Sequence, residues 1–283
     1  MIRVLITGAD SYIGTHIAET LEKRPEQFEV RQLDIREGLN QQAFSGFDAV
    51  VHVAGIAHQK ETAENTPLYQ QVNCDLAVKT AQMAKNAGVK QFVFFSSMSV
   101  YGLTVGRITA DTQPAPNTHY GKSKWDAEQQ MAGLADEHFR IATLRPPMIY
   151  GAGCRGNYPR LASLARRLPV FPKVKSERSM LYIGTLCAFA EKLIESGEGG
   201  LYFPQNREYV NTSDMVRLIA ECHGKKLSLI PGFAWLMSLL EKRVGVVGKV
   251  FGTLTYDLSM STAFADENEL SFAETIRLTE VAR

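Results

Sequence analysis

The run Ile2-Arg3-Val4-Leu5-Ile6-Thr7-Gly8-Ala9-Asp10-Ser11-Tyr12-Ile13-Gly14 decides the fold. Its first six residues are mostly apolar and rich in β-branched side chains, as a buried strand requires. Small residues follow at once, and then Ile17, Ala18 and Leu21 recur at helical spacing. Strand, tight turn and helix in that order aim the free N–H groups of a helix N-terminus at a pyrophosphate. The spacing is Gly-x-x-Ser-x-x-Gly, not Gly-x-Gly-x-x-Gly, so the reading rests on the whole unit. A second strand, Phe28 to Leu33, ends in Asp34, 20 residues after Gly14. A carboxylate there suits the adenosine ribose hydroxyls of NAD; Arg36, two residues on, would suit the 2′-phosphate of NADP.

Outward from this unit, strand and helix patterns alternate. Asp48 to Ala54 reads as a third strand, and a helix follows from about Asn73 to Ala87, with Gly88 as its stop. Gln91 to Ser97 is a fourth strand with a hydroxyl-rich end. After the helix that carries Tyr120, Arg140 to Arg145 is a fifth, stopped by Pro146 and Pro147. The alternation predicts a parallel sheet with helices on both faces and a ligand at the carboxyl ends of the strands. The second half is less regular. Gly151 to Pro172, rich in Gly, Arg and Pro around a helix at Leu161 to Leu168, suits a substrate lobe. Met180 to Ile183, a helix to Glu195, and Gly200 to Phe203 are expected to return to the main sheet. Thr212 to His223 and a packed helix at Phe233 to Leu240 complete the lobe.

The 283 residues carry 31 basic and 30 acidic side chains with no long basic run, which argues against a nucleic-acid footprint. Cys74, Cys154, Cys187 and Cys222 are scattered, which fits a reduced cytoplasmic protein better than a disulfide framework or a zinc site, and no metal is expected. No stretch reaches the ~18 apolar residues of a membrane span, and the chain enters its first strand without the pattern of a secretory signal.

Tyr120 and Lys124 are four residues apart and share a helix face, so an ammonium can sit beside a phenol. A positive charge favours the phenolate and brings its pKa toward the range that proton transfer at neutral pH needs.

These residues together resemble the extended short-chain dehydrogenase/reductases, the nucleotide-sugar epimerase/dehydratase family. The resemblance runs through the Thr7–Gly14 turn, Leu33-Asp34, His52-Val53-Ala54-Gly55, Asn73, Phe95-Ser96-Ser97-Met98-Ser99-Val100-Tyr101-Gly102, Tyr120/Lys124, Leu144-Arg145-Pro146-Pro147, Ile149-Tyr150-Gly151 and Arg178. It implies an α/β fold: a Rossmann-type, doubly wound parallel sheet over residues 1–153, with 178–204 returning to it. A smaller C-terminal substrate-binding lobe would occupy mainly 154–283. Tyr120 would be the acid/base, Lys124 would lower its pKa and hold the nicotinamide ribose, and Ser97 would hydrogen-bond the reacting oxygen, with Ser96 and Ser99 as rivals. Gly8, Ser11, Tyr12, Ile13 and Gly14 would hold the pyrophosphate, Asp34 the adenosine ribose, and Ala54 and Gly55 the adenine side. Asn73 and Pro147 complete the cofactor set. Arg178 would grip a substrate diphosphate, with Ser99, Tyr101, Asn157 and Arg155 as further contacts.

The resemblance also has departures. Ser11 stands where the family usually has Gly, and Met148 where many sugar epimerases have Asn. Met98 and Ser99 replace the acidic pair of the dehydratases. The implied enzyme is therefore an NAD(P)-dependent oxidoreductase at C4 of a nucleoside-diphosphate sugar, in a branch serving bacterial surface-polysaccharide synthesis. It would be a UDP-sugar 4-epimerase, with an NAD(P)H-dependent reductase of a 4-keto-6-deoxy nucleotide sugar as the alternative. A non-catalytic nucleotide sensor would require a broken Tyr/Lys/Ser set. A homodimer is expected through the Asn73–Ala87 and Tyr120–Leu134 helices.

Overall fold

Side chains of β1 (Ile2–Thr7) alternate across the sheet as the pleat dictates: Val4 and Ile6 enter one core and Leu5 the other, all fully buried. A computed structural model describes residues 1–35, 38–57, 61–62, 64–232, 252–264 and 270–281. In it β1 pairs in parallel with β2 (Phe28–Leu33) and, on its other side, with β3 (Ala49–His52). The sheet continues in parallel through β4 (Gln91–Phe95), β6 (Arg140–Leu144) and the edge strand β10 (Gly200–Tyr202). Its order is β10-β6-β4-β3-β1-β2, so the winding reverses between β1 and β3. That reversal opens a crevice at the carboxyl ends of the strands, where a ligand binds in doubly wound sheets.

α1 (Tyr12–Leu21) and α6 (Ile183–Ser196) cover the face that buries Val4, Ile6, Val51 and Val93. α3 (Leu76–Asn86) and α4 (His119–Ala132) cover the other, over Leu5, Val50, Phe92 and Phe94. Each such side chain removed from water contributes about 1.5–3 kcal/mol, which makes both helical layers part of one fold. The helix expected from Asn73 begins earlier. α2 (Thr66–Gln70), with a proline in its first turn, passes through a π-helical turn at Gln71–Asp75 into α3.

Of the two strands expected to return to the main sheet, only Gly200–Tyr202 does so. β9 (Met180–Tyr182) pairs instead with β7 (Met148–Tyr150) in a separate two-stranded ladder. α5 (Asn157–Arg167), α7 (Thr212–Cys222) and α8 (Phe272–Val281) enclose a second core around Tyr150, Tyr158, Leu161, Val216 and Ile276. β8 (Val170–Pro172) pairs with β11 (Ser228–Ile230), and β5 (Gly106–Ile108) with β12 (Leu254–Tyr256). The last ladder brings Leu254–Tyr256 against the loop after β4, burying Val100, Tyr101 and Tyr256 together. The helix expected at Phe233–Leu240, and Arg36, lie outside the described residues. Among the described residues no helix is long and apolar enough to cross a membrane.

Candidate active site

The β1–α1 turn brings the backbone as close to β3 as atoms allow. Gly8 has φ +100°, and a methyl group added there would meet the backbone nitrogen of Ala54 at 2.9 Å. Its N–H donates to the carbonyl of Leu33, tying the end of β1 to the end of β2 and so to Asp34. Ser11 caps α1: its hydroxyl oxygen accepts from the Gly14 N–H at 3.1 Å. A methyl group on Gly14 would meet that hydroxyl at 2.6 Å, so the departure from Gly at Ser11 is balanced by Gly14. Tyr12 and Ile13 pack on the main core, and Tyr12 reaches Gly151 from beneath. A helix N-terminus, a glycine cradle that a Cβ would fill, and a carboxylate at the end of the next strand fit an adenine dinucleotide.

Beside this turn, Asn73 is wholly buried in the π-helical turn. Its Oδ1 accepts from Ile56 N at 2.8 Å, and its Nδ2 donates to Ile56 O and to the Ser123 hydroxyl of α4. It clips the loop after β3 to the helix that carries Tyr120. Gly55 lies in that loop, where an added methyl group would meet Asn73 Oδ1 at 2.9 Å and Lys124 Nζ at 3.5 Å. Under the same crevice His52 bonds Thr7 Oγ1 through Nδ1 at 2.7 Å. Burial, and then Lys124, push its imidazole down to about 3, so it is neutral.

α4 is started by several acceptors. Thr118 accepts from Gly121 N at 3.0 Å, and Glu61 accepts from the N–H groups of His119 and Tyr120. This cap fixes the first turn, where Tyr120 sits half-buried with the ring of Tyr69 edge-on at 6.4 Å. Ser97, two residues past β4, starts the 3₁₀ turn Met98–Tyr101: its oxygen accepts from Ser99 N, and its hydroxyl donates to the Ser99 hydroxyl. It also acts on the Tyr120 phenol, favouring its ionised form. Burial raises the phenol above its ordinary value, the Ser97 hydroxyl opposes this, and Tyr69 adds to the rise. Lys124 is only 5% exposed, and its ammonium donates to the carbonyl of Phe95 at 2.7 Å. Burial brings it down to about 8, with Glu128 opposing. The ammonium thus caps the end of β4, and Ser97 is the hydroxyl that acts on the phenol.

Ser97, Tyr120, Lys124, Asn73, Gly55 and the Gly8 turn are brought together; other sequence candidates are engaged elsewhere. The Tyr101 hydroxyl is buried and accepts from Arg145 Nη1 at 2.8 Å. Arg178 Nη1 donates to Gly252 O at 2.7 Å, and its backbone bridges Val210 and Leu254. Asn157 opens α5, and Pro147 is buried between β6 and β7. Sequence reasoning missed Glu61, Tyr69 and Glu128. Only Glu128 carried a signal, standing four residues after Lys124 on the same helix face.

A family model described as the NAD-dependent epimerase/dehydratase family matches residues 4–226. A UDP-glucose 4-epimerase of Vibrio cholerae is 28% identical, covering 90% of this chain and 87% of that protein. An N-acetyl-alpha-D-glucosaminyl-diphospho-ditrans,octacis-undecaprenol 4-epimerase of Escherichia coli O157:H7 is 29% identical, covering 79% of this chain and 73% of that protein. Among solved structures, a UDP-glucuronic acid 4-epimerase from Bacillus cereus in complex with NAD has a TM-score of 0.78 at 17% identity, covering 99% of this chain and 98% of the other. At that identity the likeness establishes the fold.

Proposed function

Because the chain belongs to the NAD-dependent epimerase/dehydratase family, we propose that it is a 4-epimerase of nucleoside-diphosphate sugars. The observation that carries this reading is the grouping at the end of β4: the Ser97 hydroxyl acting on the Tyr120 phenol, and Lys124 one turn further along α4 beside Gly55. Gly8, Ser11, Ile13 and Gly14 hold the pyrophosphate of NAD, Asp34 its adenosine ribose, Ala54 and Gly55 its adenine side, and Lys124 its second ribose. When bound, the nicotinamide supplies reversible hydride transfer at the sugar C4.

The chain's own residues handle the proton. The Tyr120 oxygen takes the proton of the C4 hydroxyl, and the Ser97 hydroxyl donates to the oxygen that becomes the carbonyl. The Lys124 charge favours the phenolate over the phenol. After the 4-keto sugar has turned its other face, Tyr120 returns the proton to the same oxygen. No acid stands at Met98 or Ser99 to expel water, which keeps the chemistry at C4. Arg178 grips the diphosphate, its fork turning from Gly252 O to the substrate. Two copies pair through α3 and α4, which light scattering reads.

The test is incubation of purified protein with UDP-hexoses, UDP-N-acetylhexosamines, a polyprenyl-diphosphate N-acetylhexosamine and a 4-keto-6-deoxy nucleotide sugar. Appearance of a C4 epimer without added reduced cofactor is expected. Consumption of reduced cofactor with the keto sugar alone would identify a reductase and overturn the epimerase reading.

A further inference from the structure

Lys124 has a buried countercharge that the mechanism above does not use. Glu128 lies one turn further along α4, and its carboxylate accepts from Arg145 Nε at 3.1 Å on both oxygens, from Arg145 Nη2 at 2.5 Å, and from the Ser96 hydroxyl. The two side chains are 7% and 6% exposed. The rest of the guanidinium is equally fixed: Nη1 donates to the Tyr101 hydroxyl, and the group lies over the rings of Tyr101 and Trp125 at 5.1 and 5.3 Å. A buried ion pair is a weak source of net stability, because desolvation offsets most of the attraction. Its place beside the site therefore asks for a second account.

The neighbours of Lys124 supply one. From β4 the ammonium has the Phe95 carbonyl and the face of the Phe94 ring at 4.8 Å. From β3 it has His52, which is neutral. From its own helix comes the Tyr120 phenol, and from α2 the Tyr69 phenol behind it, both pushed above their ordinary values by burial. Arg145, the residue after β6, is matched by its own carboxylate. Glu128 is the one carboxylate that acts on the lysine among the described residues. We propose that Glu128, clamped by Arg145, is a positioning residue that keeps the Lys124 ammonium charged in its buried place, Arg145 serving to fix where that negative charge stands. The inference rests on the reading of Lys124 as the charge that assists Tyr120.

The experiment measures turnover against pH for the wild type, Glu128→Gln, the double variant Glu128→Leu/Arg145→Met, and Arg145→Lys. Lys124 is charged below about 8, so wild-type turnover falls on the alkaline side from there. A carboxylate one helical turn away, roughly 6 Å by the general i,i+4 spacing, in an effective dielectric of ~20 is worth up to about two pH units, so its loss moves that limb down by up to this amount. The double variant shows a smaller movement in the same direction, since the Arg145 cation is lost with the carboxylate, and keeps the fold, because replacing a buried pair by apolar residues of similar volume is often neutral. Arg145→Lys keeps both charges and loses the fork, so it slows turnover without moving the limb. Superposition of the double variant's alkaline limb on the wild type's, whatever the loss of rate, overturns the inference.

If the wild type turns over none of the sugars, the functional reading fails, and unfolding by urea between pH 6 and 10.5 decides this inference separately. A lysine with a lowered folded-state pKa makes the protein gain stability as pH rises from about 8 toward its ordinary value. That gain starts at a lower pH in the double variant and is missing in Lys124→Met. An unchanged onset in the double variant refutes the role of Glu128.

Discussion

Replacing Gly8 by alanine tests the close approach of the β1–α1 turn to β3, and Gly88→Ala supplies the reference. Both glycines have positive φ, +100° and +82°. A side chain in this region costs about 1–2 kcal/mol at either position. The surroundings differ. No heavy atom lies within 4 Å of a methyl group on Gly88, whereas one on Gly8 meets Ala54 N at 2.9 Å, Ala54 Cα at 3.0 Å and Ala54 Cβ at 3.3 Å. Two of those atoms are backbone, so relief requires the start of the 54–57 loop to move, an overpacking cost of about 1–3 kcal/mol. Gly8→Ala is therefore expected to destabilise by about 2–5 kcal/mol and Gly88→Ala by about 1–2. Urea unfolding of both variants, followed by circular dichroism, measures the difference. Calorimetric titration with NAD reads the second consequence: a loop displaced from the turn weakens binding at least about tenfold, since each 1.4 kcal/mol is a factor of ten. Equal destabilisation by the two substitutions, or wild-type affinity for NAD in Gly8→Ala, would refute the reasoning.

Tyr120→Phe removes one hydroxyl, so turnover is abolished while the NAD affinity from calorimetry stays within a few-fold of wild type; surviving turnover would dismiss Tyr120 as the acid/base. Arg145→Ala leaves the Glu128 carboxylate buried without its partner, and about 3–5 kcal/mol of stability is lost in urea unfolding. His52 is lowered to about 3, so the unfolded chain binds a proton that the folded one refuses. Stability then falls with pH from about 6.5 toward 3. His52→Leu removes this slope, and unfolding midpoints measured between pH 4 and 7 would display any slope that remained.

Local patterns carried most of the fold. β1, its turn and α1 lie within about 20 consecutive residues, so propensity and patterning act without help from distant chain. The same holds for the capped start of α4 and for Tyr120 with Lys124. What the sequence hid depends on distance. Nothing in Met180–Tyr182 says that its partner is Met148–Tyr150 and not β10, because an apolar three-residue strand suits either ladder. α2 was hidden by Pro67 and polar neighbours and is held by packing against α4. Arg178 looked like a free cation because its acceptor, the Gly252 carbonyl, arrives 74 residues later. Tyr101 looked like a substrate contact because the guanidinium that takes it comes from Arg145, the residue after β6, 44 positions later.

The ladder between β5 and β12 bears on how the molecule is made. All six strands of the main sheet have left the ribosome once Tyr202 has emerged. Yet the hydroxyl of Tyr256 is what donates to the Arg145 carbonyl, and the ring of Tyr256 packs edge-on against Tyr101. At roughly 5–20 residues per second, some 3–11 seconds of synthesis separate the two events. During that interval the main sheet is complete while Tyr101 and the Arg145 carbonyl still lack the cover that Tyr256 gives them. The sheet and its nucleotide turn thus stand on the growing polypeptide before the strand that covers Tyr101 has been translated.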